Sequence, residues 1–284
     1  MKLQAIDTSF DIEQKQMELL RQAGPERRAN LMRNWTTSVR RMSRYGLRKL
    51  HPDLSEPELD LLFLKHLYNL ELDQTTAAKL NICRTSDKGE NLMNEDIIAA
   101  IEPVVAAFEK LKVAYLIGGS VATSILGLPR STIDADLVAD LRLEHVPLLV
   151  AALEQDYYLT TSAIEEAIAR KSSFNVLHLV TMSKVDIFIL KTNPFDLLAF
   201  SRRQPSRVDT ANPKEYFLSS PEDILLHKLM WYEAGKRVSE RQWLDVIGLL
   251  KVRGHTLDRT YLEEWAERLG ITTLLREALT NGGI

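Results

Sequence analysis

The chain has 284 residues, 36 Lys and Arg against 39 Asp and Glu, a formal net charge of −3 and 45% hydrophobic residues. That is a globular composition with ample length for a core; it excludes a fibrous or wholly disordered chain, and the charge balance excludes wholesale wrapping of nucleic acid. No apolar run approaches the roughly 20 residues that span a bilayer, the N-terminus lacks a basic-then-apolar signal pattern, and the lone Cys83 has neither a disulfide partner nor a Cys/His cluster beside it, so a cytoplasmic, reducing location is expected.

Residues 1–80 read as a helical N-terminal domain. A first helix is predicted over Asp11 to Gln22, ended by Gly24-Pro25. A second runs from Glu26 to Lys49, with Leu31, Met32, Trp35, Val39 and Met42 forming one apolar stripe. His51-Pro52 ends it, and Asp53 or Ser55 caps a third helix that buries Leu59, Leu62, Phe63, Leu64, Leu67 and Leu70. The second helix is also basic, and Arg40, Arg44 and Arg48 share a face at four-residue spacing. Two readings of that face stand open: a docking surface for RNA, DNA or an acidic protein, or the solvated side of an amphipathic helix.

Apolar residues thin out in NICRTSDKGEN, so 81–92 reads as a linker and 93–215 as the next domain. Asn94 caps a helix carrying Ile97, Ile98, Ile101, Val104, Val105 and Phe108, with Pro103 as an expected kink or later start. A strand follows over Val113 to Ile117.

The chemistry is concentrated in Leu116–Leu137, LIGGSVATSILGLPRSTIDADL. Gly118, Gly119 and Ser120 form a turn ahead of a short helix, which suits a phosphate chain: close backbone approach, a hydroxyl and free helix N-terminal N–H groups. The chain then returns as a strand on which Asp134 and Asp136 share one face while Ile133, Ala135 and Leu137 take the other. Paired carboxylates repel unless a cation lies between them, and hard oxygen ligands of this kind suit Mg²⁺.

Further on, helices are expected over Leu143 to Gln155 and Ser162 to Arg170, with a short extended segment at Tyr157 to Leu159 between them. Two strands, Phe174 to Val180 and Val185 to Leu190, form a hairpin joined by Thr181-Met182-Ser183-Lys184. The second presents Asp186 among apolar neighbours, where a carboxylate is costly unless it faces a metal or solvent. His178 on the partner strand reads as structural. Residues 216–284 form a C-terminal helical region: Ser220-Pro221-Glu222-Asp223 starts one helix, Ser239 caps a second that ends at Gly254, and two more cover about Leu257 to Leu269 and Thr272 to Thr280.

The Gly-Gly-Ser turn, short helix and Asp-x-Asp strand resemble the nucleotidyltransferase superfamily that includes DNA polymerase β. PRSTIDAD, with Pro129, Arg130, Thr132, Asp134 and Asp136, is similar to bacterial minimal and abortive-infection-type nucleotidyltransferases, some of which are toxins. PEDILLHKLMWYEAGKRVSERQWLDV resembles a second motif of those enzymes, on which Lys228 and Asp245 match the lysine and aspartate that complete the site. The resemblance covers about residues 93–253. It implies an α+β fold, a small mixed sheet with flanking helices.

For the site, the resemblance implies Asp134, Asp136 and Asp186 as metal ligands, with two Mg²⁺ ions, Asp186 serving either the second metal or the activation of the attacking hydroxyl. Gly118, Gly119, Ser120 and Arg130 would lie at the nucleoside triphosphate, and Lys228 at the leaving pyrophosphate. Lys228 also reads as a snorkelling surface lysine, and Asp245 as a partner of either Lys228 or Arg241. The implied activity is transfer of a nucleoside monophosphate to a hydroxyl of tRNA or protein, as in a toxin-antitoxin system, or to an aminoglycoside. A different class of reading keeps the fold as a masked or regulatory nucleotide-binding module, with the N-terminal helices contacting and inhibiting the catalytic domain. A third is a nucleic-acid-binding protein led by the basic helix.

Overall fold

The computed structural model describes residues 10–23, 27, 40, 42–68, 97–128, 134–207 and 214–284. In chain order the first helices are α1 (Phe10–Gln22), α2 (residues 42–50), α3 (Glu56–Tyr68) and α4 (Ile97–Lys110). Then come β1 (Tyr115–Ile117), α5 (Gly119–Leu126), β2 (Asp134–Ala139), α6 (Val146–Leu153), β3 (Tyr157–Tyr158), α7 (Thr161–Arg170), β4 (Ser173–His178) and β5 (Lys184–Ile189). The chain ends with α8 (Pro194–Ser201), β6 (Gln204–Arg207), β7 (Glu215–Leu218), α9 (Pro221–Ala234), α10 (Glu240–Arg253), α11 (Arg259–Arg268) and α12 (Thr272–Gly282). It is a mixed α+β protein, richer in helix than in strand.

The chain divides into two compact units, Met1–Ser38 with Asn91–Val121 and Ser131–Gln204, and Val39–Glu90 with Ala122–Arg130 and Pro205–Ile284. In the first, the strands run in the order β3-β4-β5-β2-β1. β2 and β5 are parallel and the other pairs antiparallel. β2 alternates as a half-buried strand must: Ala135, Leu137 and Ala139 are buried, and Asp134, Asp136 and Val138 lie on the more open face. α4 packs against α6, β2 and β5 through buried Ile97, Ile101, Val104, Val105 and Phe108. Pro103 lies inside α4, which continues past it, so the expected later start is corrected. The Tyr157 hydroxyl donates to the Ala100 carbonyl at 2.8 Å.

α1 forms one residue ahead of its predicted start and docks on the β4–β5 turn. Gln16 Nε2 donates to the Met182 carbonyl at 3.0 Å, Arg27 Nη2 donates to the Val180 carbonyl at 3.1 Å, and Leu19, Leu20 and Ala23 pack around Met182.

The second unit is mainly helical. α9 packs on α10 and α11, and α10 and α11 pack on α12. The sequence signals at Ser220 and Ser239 hold: each accepts the N–H three residues on, at the head of α9 and α10, and Asp258 does the same at the head of α11. At α3 the Glu58 carboxylate accepts the Ser55 N–H at 2.8 Å and its hydroxyl at 2.6 Å, so Ser55 takes the head of this helix. Arg44 on α2 bonds Asp60 at 2.8 Å and pairs with Glu56, and Arg48 pairs with Glu56 as well. Two of the three arginines on the basic face are thereby committed to carboxylates of α3. Of the rest of the second predicted helix only Arg27 and Arg40 fall among the described residues; the 81–92 linker, Cys83 and Asn94 lie outside them.

The stretch from 191 to 219 holds elements that the sequence reading did not assign: α8, β6 and β7. A signal for α8 was present, since Asn193 caps it by accepting the Asp196 N–H at 2.9 Å, and Pro194 follows at the first helical position.

Candidate active site

The glycine turn and the aspartate strand meet in the first unit. The Gly118 N–H donates to the Asp136 main-chain carbonyl at 2.9 Å, and the Ser120 N–H donates to the Asp136 carboxylate at 3.2 Å. Gly119 has φ +50, and a Cβ placed on it would stand 1.7 Å from Asp136 Oδ2. Glycine is needed there twice over, for a left-handed backbone and for the approach of the carboxylate. The Asp136 carboxylate thus sits against the Ser120 amide in the first turn of α5, the end of a helix that favours negative charge.

The third carboxylate joins through the sheet. In the parallel pairing of β2 and β5, Asp134 lies opposite Lys184 and Asp136 opposite Asp186, so the four residues share one face. Asp186 is 2% exposed. Its Oδ1 accepts from Asn175 Nδ2 at 2.6 Å, and its Oδ2 meets Lys184 Nζ at 2.7 Å. Burial, above all, with the Asp136 and Asp134 charges beside it, pushes the Asp186 carboxyl up to about 8 against the pull of the Lys184 ammonium. Asn175 and Lys184 are neighbours of Asp186 that sequence reasoning missed. Lys184, read as the last residue of the hairpin connection, is the first residue of β5. The period-two spacing Lys184-x-Asp186 was the signal that placed them together.

In the second unit Lys228 and Asp245 form a pair of their own. Lys228 Nζ lies 2.7 Å from Asp245 Oδ2 and donates to Gln242 Oε1 at 3.1 Å. Lys228 is 3% exposed, which overturns the surface-lysine reading, and Lys228 rather than Arg241 is the partner that holds Asp245. Gln242 completes this group and was not anticipated. Arg130 lies outside the described residues.

His178 serves the fold, as its sequence context suggests. Its Nδ1 is 2.8 Å from Thr181 Oγ1 and accepts the Thr181 N–H, and its ring lies 5.0 Å from that of Tyr157. Burial pushes its pKa below the ordinary histidine value, with Asp156 pulling the other way. A cavity in the same unit, lined by α1 and Tyr158, contains none of the predicted site residues.

Mg²⁺ takes oxygen ligands and is commonly held by one or two carboxylates, the remaining positions going to water and substrate phosphates. Asp134 and Asp136 offer that donor set from one strand face, beside backbone amides that suit phosphate. Among the described residues no group of three or more His, Cys, Asp and Glu side chains is placed to hold a metal ion. The donor set fits a two-carboxylate site completed by substrate. Among the same residues no helix is long and apolar enough to cross a membrane.

No family model and no curated protein matches the chain. Similar solved structures include an antigenic nucleotidyltransferase-like protein from Paracoccidioides brasiliensis, 18% identical over 64% of this chain and 91% of that one, with a TM-score of 0.41. The lincosamide antibiotic adenylyltransferase LnuA, solved with lincomycin, is 17% identical over 54% of this chain and 96% of its own, with a TM-score of 0.34. ANT(2")-Ia, solved in complex with adenylyl-2"-tobramycin, is 15% identical over 66% of this chain and 95% of its own, also with a TM-score of 0.34.

Proposed function

We propose that the chain is a Mg²⁺-dependent nucleotidyltransferase that moves a nucleoside monophosphate from a nucleoside triphosphate to a hydroxyl of a macromolecule, tRNA or protein. The observation that carries this reading is the register of β2 and β5, which sets Asp134, Asp136 and Asp186 on one face beside the Gly119-Ser120 turn. Mg²⁺ bound with the triphosphate supplies charge neutralisation at the phosphates. Asp134 and Asp136 would hold it, and the Ser120 hydroxyl at the head of α5 would meet phosphate oxygens, the Ser120 N–H being taken by the Asp136 carboxylate. The acceptor hydroxyl forms a bond to the α-phosphorus, the bond to pyrophosphate breaks, and the hydroxyl proton passes to a base, for which Asp186 is the candidate. The work is positioning and electrostatics, which is what fixed carboxylates on a rigid sheet provide.

A second reading, a nucleotide-binding module restrained by its N-terminal part, draws support from the bonds of Gln16 and Arg27 to the β4–β5 turn, which leads directly into Lys184 and Asp186.

The test is to incubate the chain with Mg²⁺, each α-labelled nucleoside triphosphate, and total bacterial RNA and protein, beside the Asp134→Ala/Asp136→Ala variant. Label on RNA or protein with the native chain alone is the expected result. Label on an added aminoglycoside instead transfers the acceptor to the small-molecule class. No transfer to any acceptor, from a chain that binds triphosphate, favours the restrained module.

A further inference from the structure

The carboxylate face carries its own cation. Register places Lys184 opposite Asp134 and two residues before Asp186, on the same face of the paired strands. Its ammonium is 2.7 Å from Asp186 Oδ2, and the two side chains are 4% and 3% exposed. Asn175, the register partner of Asp186 on β4, donates to the other oxygen at 2.6 Å. Both Asp186 oxygens are therefore met from within the protein. Burying an ammonium at a sheet face is costly unless it is paired, so the lysine and the carboxylate hold each other in place.

The charge count follows. In their ionised forms, with Asp186 paired to the Lys184 ammonium, three carboxylates and one ammonium leave two negative charges on the face, which a single divalent ion balances. Without the ammonium, three negative charges would draw a second ion. We propose that Lys184 is a built-in counter-cation of this face: it neutralises Asp186 as a second divalent ion would, so that the chain takes one divalent cation, at Asp134 and Asp136, rather than the two that the family resemblance implies. The proposal rests on the nucleotidyltransferase reading and deepens it, because it assigns Asp186 to orientation and proton acceptance and the metal to the other two aspartates.

Mn²⁺ alone, titrated into the full chain and followed by the paramagnetic signal of the free ion, tests this without any turnover. The native chain is expected to bind one Mn²⁺. Asp134→Asn weakens that binding at least about tenfold; Asp186→Asn leaves Lys184 uncompensated on the face and weakens it too, an effect that adding Lys184→Met removes. Lys184→Met is expected to gain, either tightening the site at least about tenfold or adding a second Mn²⁺. The double variant Lys184→Met/Asp186→Asn removes both buried charges together, keeps two carboxylates on the face, and is expected to bind one Mn²⁺ as the native chain does; it decides the matter if Lys184→Met does not fold. Two Mn²⁺ of similar affinity on the native chain, unchanged binding in folded Lys184→Met, or loss of Mn²⁺ by the double variant would each overturn the role of Lys184. A native chain whose metal binding ignores both Asp134→Asn and Asp136→Asn overturns the metal-dependent reading itself.

Discussion

Gly119 and Asp136 stand so close that a single methyl group does not fit between them: a Cβ on Gly119 would lie 1.7 Å from Asp136 Oδ2. Gly119 opens α5 and Asp136 lies on β2, beyond the far end of that helix, yet each sets the geometry of the other. A left-handed Gly119 points the Ser120 N–H at the carboxylate, and the carboxylate occupies the space that a side chain would need.

Gly119→Ala is therefore expected to displace Asp136 rather than merely strain the turn. The backbone alone costs about 1–2 kcal/mol for a non-glycine residue in this region. Misplacing the carboxylate by about 1 Å costs on the order of 100-fold in transfer rate. Thermal unfolding beside a transfer assay checks this; a variant as active as the native chain would show that Asp136 is free to take another position without loss.

Asp134 is half-buried beside the Asp136 and Asp186 carboxylates, so Asp134→Asn, which keeps the shape and removes a like charge, should leave the chain at least as stable as native in urea. On the proposed reading transfer should fall at least about 100-fold, since the charge that would hold the metal is lost while shape is kept. A variant that unfolds early instead would make Asp134 a stability residue.

Lys228 and Asp245 are buried with 3% and 7% exposure and an N–O distance of 2.7 Å. Removing one partner strands the other charge, so Lys228→Met or Asp245→Leu alone is expected to cost about 3–5 kcal/mol, while Lys228→Met/Asp245→Leu recovers most of it. The measurement is a double-mutant cycle by urea unfolding. Single variants that cost less than about 1 kcal/mol would mean that water reaches the pair.

His178 gives a pH dependence with a definite sign. Its pKa in the folded chain lies below the 6.5 of the free side chain, because burial disfavours the imidazolium. Above about pH 6.5 both folded and unfolded forms are neutral and nothing is lost. As pH falls through that value the unfolded chain takes up the proton first, so stability declines until the folded pKa is passed. Native chain and His178→Gln should therefore diverge on acidification, the native losing more, when urea midpoints are compared from pH 8 to 5. Parallel profiles would assign the acid sensitivity to other groups.

Much of the local structure was legible in the chain. Ser220-Pro221 and Ser239 mark helix starts that the structure keeps, because capping is decided by a side-chain oxygen and N–H groups three residues away. The alternation Asp134-Ala135-Asp136-Leu137 fixed which side chains share a face, because a strand has period two wherever it lies. By contrast Lys184 went unread as a site residue. A lysine after a turn looks like solvent, and only the parallel pairing of two strands nearly fifty residues apart brings it opposite Asp134 and into contact with a carboxylate.

The basic face of α2 illustrates the same division from the other side. Four-residue spacing correctly gathers arginines on one face, but the sequence has no means of naming what covers it; Arg44 and Arg48 end on Glu56 and Asp60 of the next helix. Lys228 and Asp245 likewise required α9 and α10 to pack before one of two available partners was selected.

By itself the sequence determined which residues carry charge, which faces they share within one element and where helices begin, since these depend on interactions spanning a few residues. Only the tertiary structure decided which charge meets which: that Asp186 answers to Lys184 and Asn175, that Asp136 rests on the amide beyond Gly119, and that Lys228 holds Asp245. Those pairings are set by strand register and helix packing, and register is fixed by the burial of distant apolar residues rather than by the charged ones it brings together.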